Sequence, residues 1–194
     1  MRITDDRYDQ HRRSLDLAWR MISHEARTHT ISRWTQLSGH RIRALYKSYS
    51  SDSNNTVTRH RGMSPYQLDV ILASPRLKCE ASILSAICKL LSVIPPGRLD
   101  DVERTLPSIE RGELLCEAFE WFRTSVPNAK LNFEQGILVL NELALHEQIE
   151  LTYCRSCLGV LLMDRLSIDG PNCTFCSAGP APHLKGVQSL DAPM

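Results

Sequence analysis

The chain has 194 residues and a formal charge of +1, from 23 Lys and Arg against 22 Asp and Glu, so its net charge does not mark it as a polyanion binder. Its length suffices to bury a core, expected as one domain with a small appendage. No run approaches the roughly 18 apolar residues needed to cross a bilayer, and the N-terminus "MRITDDRYDQ" carries no apolar export segment. The expected location is therefore cytoplasmic with no membrane partner, and seven cysteines in a reducing compartment point to metal or redox chemistry.

Helical periodicity dominates the chain. Leu15, Leu17, Ala18, Trp19, Met21 and Ile22 form a broad apolar side on a first helix at about 7–25. Two shorter helices follow at about 28–36 and 39–49, and their charge is one-sided. Between Ala26 and Ser51 stand Arg27, Arg33, Arg41, Arg43 and Lys47 with no acid; Arg59 and Arg61 follow with only Asp52 between. "SSDSNNTVTRHRGMSP" reads as a long loop. An apolar helix at about 79–94 is closed by Pro95 and Pro96. Its arc of Ile83, Leu84, Ile87, Cys88, Leu90, Leu91, Val93 and Ile94 is wider than one core-facing stripe. Part of it can face another subunit, or the acidic middle of the chain can cover it. That middle, Arg98–Trp121, carries seven acids against three arginines. Helices at about 112–125 and 132–147 are separated by Pro127, with Asn132 placed to cap the second. "IELTYC" and "LGVLLMD" are short β-type runs.

Those runs flank a cysteine pair. Cys154 and Cys157, then Cys173 and Cys176, make two CxxC pairs at the spacing of a zinc site. Zinc takes four thiolates tetrahedrally and leaves no open position in a structural site. The reading is one zinc per chain, held by Cys154, Cys157, Cys173 and Cys176, stapling a segment too short to fold on apolar burial alone. The same thiolates would serve an iron–sulfur cluster, and a redox CxxC would need a βαβ context that this helical pattern lacks. Cys79, Cys88 and Cys116 lie in apolar helical runs and read as small core residues.

"THTISRWTQLSGHRIRALYKSY", Thr28 to Tyr49, has the pattern of a helix-turn-helix. Ile31, Trp34 and Leu37 point one way from the first helix, and Ile42, Leu45, Tyr46 and Tyr49 line one face of the second. Ser38 is the expected N-cap, with Gly39 relieving the turn. The opposite face presents His40, Arg43, Ala44 and Lys47, with Arg41 near the start. Arg41, Arg43 and Lys47 are the expected DNA contacts, and Arg33, Arg59 and Arg61 the expected phosphate contacts. A helical hairpin with a merely solvated basic face has the same pattern.

"TQLSGHRIRALYKSY", the later "RGMSPYQLDVIL", the apolar helix from Cys79 and the late four-cysteine segment together resemble the FlhC family, over roughly residues 10–180. FlhC is a subunit of the bacterial flagellar master transcriptional activator. The resemblance implies a mostly α fold with a zinc-bound C-terminal region. It further implies a hetero-oligomer, a heterohexamer, with an FlhD-type subunit, binding to double-stranded promoter DNA of flagellar genes, and recruitment of RNA polymerase. The domain organisation expected is a helical domain over 1–150 with the helix-turn-helix-like segment at 28–49, a zinc region over 151–178, and a flexible tail over 179–194. A zinc-stabilised protein-interaction or RNA-binding module is the alternative. No Ser/His/Asp order, phosphate loop or HExxH appears, so an enzyme is not expected.

Overall fold

In the computed structural model, residues 3–51, 57–65, 67–94, 107–145, 147–168, 170–174 and 176 are described. The prolines at 95 and 96 that close the expected apolar helix and the expected tail over 179–194 lie outside them. Among the described residues the order is α1 (Ile3–Ser23), α2 (Thr28–Thr35), α3 (Gly39–Ser51), α4 (Asp69–Ala73), α5 (Pro75–Leu90), α6 (Ile109–Ser125), α7 (Phe133–Leu145), β1 (Ile149–Tyr153) and β2 (Val160–Asp164). The protein is mostly helical, as its periodicity predicts. The two strands pair antiparallel, Ile149 opposite Asp164 and Tyr153 opposite Val160.

Local signals set most boundaries. Asn132 and Gln135 cap α7 reciprocally: the Gln135 N–H donates to Asn132 Oδ1 (2.8 Å) and the Asn132 N–H to Gln135 Oε1 (3.0 Å). Ser108 caps α6 by accepting from the Arg111 N–H (3.2 Å). The apolar helix starts at Pro75, four residues before its apolar run, because Ser74 supplies the N-cap and Pro75 sits in the first turn where its missing N–H costs nothing. It also stops earlier than expected. Ser92 turns left-handed (φ 59°), and the Val93 N–H returns to the Cys88 carbonyl (2.9 Å), so a local cap ends the helix before the prolines. The expected relief of the α2–α3 turn by Gly39 is likewise displaced. Gln36 is the left-handed residue (φ 61°), closing α2 with its N–H on Ser32 O.

α5 lies centrally, packed by α4, α6, α7 and the hairpin, while α1 rests on α2, α3 and α6. Leu17, Met21, Ile22, Ile31, Trp34, Ile42, Leu84, Cys88, Leu115, Phe122, Phe133 and Leu140 form one continuous buried cluster. Of the wide arc on α5, Leu84, Ile87, Cys88 and Val93 are buried within the chain, and Leu90 alone among its apolar residues is strongly exposed (75%). Cys88 and Cys116 are core residues, as expected, but Cys79 is only half-buried. Two buried carboxylates stitch distant segments. Glu80 accepts from Arg76 Nε (2.8 Å) and from the Lys130 and Leu131 N–H groups (2.8 and 2.7 Å), holding the loop before α7 against α5. Glu134 on α7 accepts from the Arg27 N–H (2.7 Å) and Thr30 Oγ1 (2.9 Å), and so caps α2 from across the molecule.

The acidic α6 is partly neutralised within the chain. The Arg13 guanidinium pairs with Glu113 (2.6 Å) and Glu110 (3.4 Å), and Arg20 pairs with Glu120 (2.9 Å). Three acids of α6 are therefore answered by the arginines of α1. Among the described residues the arginines and lysine of α2 and α3 have no such partner.

Candidate functional site

Two constellations emerge. The first is at the hairpin. Its inner face is part of the main core, with Ile149 and Leu162 fully buried, and the Leu162 N–H donates to Ser82 Oγ of α5 (2.8 Å). β1 delivers Cys154 into the interior. A tight knuckle follows, closed by Leu158 N–H to Cys154 O and Cys154 N–H to Gly159 O, both 2.9 Å, with Leu158 left-handed at φ 59°. The returning segment is pinned by the Arg155 N–H on Pro171 O (2.9 Å).

This geometry brings the sulfurs of Cys154, Cys157, Cys173 and Cys176 within 4.8 Å of one another, with Cys157 Sγ and Cys173 Sγ 3.7 Å apart. Four sulfurs about 2.3 Å from a central ion at tetrahedral angles lie about 3.8 Å apart, so the cluster fits one metal ion. The Cys173 N–H points at Cys154 Sγ (3.3 Å) and the Cys176 N–H at Cys173 Sγ (3.4 Å). The N–H groups of Cys173, Cys157 and Ser156 lower the Cys154 thiol well below its ordinary value, which favours the thiolate a metal requires. All four residues expected as ligands meet here.

The second constellation is the α2–α3 pair. Ile31, Trp34 and Leu37 are buried, and so are Ile42 and Tyr46, while Leu45 and Tyr49 are half-buried. Trp19 of α1 packs on Tyr49 with ring centroids 5.3 Å apart. The Tyr46 hydroxyl donates to the Ala26 carbonyl, tying α3 to the start of α2. Burial, with Glu134 and Glu25 nearby, raises the phenol far above its ordinary value, and the Arg59 charge acts against them. The Ser38 hydroxyl accepts from the Arg41 N–H (3.3 Å), the expected cap.

Arg33, Arg41, Arg43, Lys47, Arg59 and Arg61 are all exposed, and none enters an ion pair with another described residue. His40 and Ala44 share the exposed side of α3. The helical phase read from the pattern is therefore the phase in the fold. Pattern reading passed over Glu25, Glu134 and Glu80, which organise this region and its neighbours. Apart from Arg76, four residues before Glu80, their partners lie 33 to 107 residues away, where no local spacing signals them.

No protein-family model matches the chain, and no curated protein matches it.

Proposed function

We propose that this chain is a DNA-binding transcriptional activator of the FlhC type. In this reading it acts with an FlhD-type subunit on flagellar promoters, engages RNA polymerase, and carries one structural zinc. The observation that carries the reading is the α2–α3 unit: exposed cations in no ion pair with a described residue on one side and a buried apolar seam on the other, joined by residues 36–38. A three- to four-residue connection between two helices suits a helix-turn-helix. With 13 residues, α3 is about 20 Å long. Its first three turns offer Arg41, Arg43 and Lys47 to a major groove about 12 Å wide. Arg33 on α2 is suited to phosphate.

Zinc is favoured for the cluster because four soft thiolates in a tetrahedral cage match its preference. Sulfurs this close suit a single ion better than a cluster of several irons. With every position taken by protein, the ion's role is to hold the hairpin, not to activate water.

One observation favours a second reading, a zinc-stabilised protein-interaction or RNA-binding module. Leu90, Tyr153 and Val160, all exposed, surround a groove of about 260 Å³ beside the hairpin. A duplex-DNA titration alongside RNA of matched length separates the two. The DNA reading expects salt-dependent binding to the duplex, weakened by Arg43→Ala or Lys47→Ala with unchanged melting; equal or tighter binding to the RNA selects the module. Metal analysis of the same sample should give about one zinc per chain.

A further inference from the structure

After α3, residues 57–65 cross the α1–α2 connection as a strap fixed at several points. The Thr58 N–H donates to Glu25 Oε1 (3.0 Å), and His60 Nε2 meets Glu25 Oε2 (2.9 Å). One residue further, Arg27 Nη1 donates to the Arg61 carbonyl (2.8 Å). Val57 packs on the core at one end, and Gly62 bends the chain at φ 94° beside the Arg27 guanidinium at the other.

Glu25 is unusual in its own right. It closes α1 in the left-handed region (φ 59°), where its N–H bonds Ile22 O (2.9 Å) and the next N–H, of Ala26, bonds Met21 O (3.0 Å). A non-glycine residue is rarely held there, so a residue kept in that conformation invites a reason. Its carboxylate supplies one: it takes both of its strap bonds from outside its own helix.

The anchors fix the backbone around Arg59 and Arg61: Thr58 and His60 are held by Glu25, and the Arg61 carbonyl by Arg27. Arg59 and Arg61 are both exposed and in no ion pair with a described residue. The Tyr46 hydroxyl of α3 bonds the Ala26 carbonyl, between the two residues that hold the strap, so the strap runs beside α3.

We infer that the strap is a second nucleic-acid-contacting element: an arm, clamped by Glu25 and Arg27, that sets Arg59 and Arg61 on the phosphodiester backbone flanking the groove entered by α3. Glu25 and Arg27 are positioning residues; the arginines make the contacts. This inference rests on the DNA-binding reading of α2–α3.

The sign of one substitution separates clamping from bulk electrostatics. Glu25→Gln removes a negative charge from the surface that would face DNA, and Coulomb's law alone makes binding tighter. A broken clamp makes it weaker, because two ordered cations are released. The experiment measures binding of the full chain to a mixed-sequence duplex as a function of salt, for the wild type, Glu25→Gln, Arg59→Ala/Arg61→Ala, the combination of all three, and Arg43→Ala. Each lost phosphate contact should reduce the slope of log K against log salt by about 0.9, so the double arginine variant should lose about 1.8. Glu25→Gln should move the same way, and should no longer weaken binding in the double-arginine background.

Tighter or unchanged binding by Glu25→Gln at unchanged melting temperature overturns the clamp while leaving the α3 reading intact, provided Arg43→Ala still weakens binding. If Glu25→Gln does not fold, the double arginine variant decides, and an unchanged slope there overturns the arm. No effect of Arg43→Ala, or no binding by the wild type, overturns the DNA reading on which the arm depends.

Discussion

Leu158 is a single residue whose backbone conflicts with its side chain. It stands exposed, at 74%, in the left-handed turn that closes the cysteine knuckle. Its side chain contributes little burial there, whereas the conformation costs about 1–2 kcal/mol relative to glycine. Leu158→Gly should therefore strengthen metal binding by roughly 3- to 10-fold in a chelator competition, after allowance for the greater freedom of glycine in the unfolded chain. Weaker binding would mean that Leu158 contributes something to the knuckle besides its backbone. At the ligands the expectation is opposite. Cys173→Ser should lose the metal and open the hairpin to protease, because three thiolates leave the ion's shell incomplete. Full metal content in that variant would overturn the cage. The cage itself was legible in the spacing of four residues. The left-handed leucine was not, because a glycine next door at 159 carries the expected turn signal and the fold does not use it in that way.

Among elements, α6 against α1 and α2 makes the tightest test. A Cβ added at Gly112 would come within 2.6 Å of Leu17 Cδ2 and 3.2 Å of Trp34 Cε3. Leu17 and Trp34 are both buried in the core and have little room to yield. Gly112→Ala should cost about 1–3 kcal/mol by denaturant titration, despite alanine's better helix propensity. An unchanged or raised midpoint would show that these helices separate easily. Six of the seven helices were readable from apolar periodicity and end signals such as Asn132 and Ser38. α4, five residues long, is too short for a period to show. The early start of α5 was written in Ser74-Pro75, a cap signal that the apolar run after it overshadows. The docking of α6 on α1 was invisible because Arg13 and Glu113 are 100 residues apart, and pairing across that distance is a property of the fold.

For the whole molecule, acid sensitivity should come in two stages. His24 packs against the rings of Phe119 and Phe133, each with centroid 5.2 Å away, and those two rings also meet each other at 5.1 Å. Burial lowers its imidazole below the ordinary value, against the pull of Glu120. The unfolded chain then binds the proton more readily than the folded one. Stability is thus full above about pH 6.5, the ordinary histidine value, and falls as pH drops below it towards the lowered folded value. Glu80 follows at lower pH. Burial alone would raise it, but the Arg76 guanidinium and the Leu131 and Lys130 N–H groups lower it, and Glu120 is likewise lowered by Arg20 and His24. Depressed carboxylates contribute stability that is present above about pH 4.3 and lost as pH falls through their folded values. A pH series of denaturant midpoints should show both phases, and His24→Gln should flatten the first while sparing the part of the second that belongs to Glu80. A single acid transition unaffected by that substitution would contradict the assignment.

The cap that Glu134 places on α2 also has a consequence in time. Arg27 and Thr30 are made about 100 residues before the carboxylate that holds them. At roughly 5–20 residues per second that interval is about 5–20 s. For that period a growing chain carries its basic helices without the anchor that fixes the start of α2. Competence of the basic surface is thus tied to synthesis having passed α7, and a chain cut short before Glu134 should be both less ordered at α2 and easier to degrade. The long-range carboxylate acts as a mark of completeness: only a chain made nearly to its cysteine hairpin presents α2 and α3 in working order.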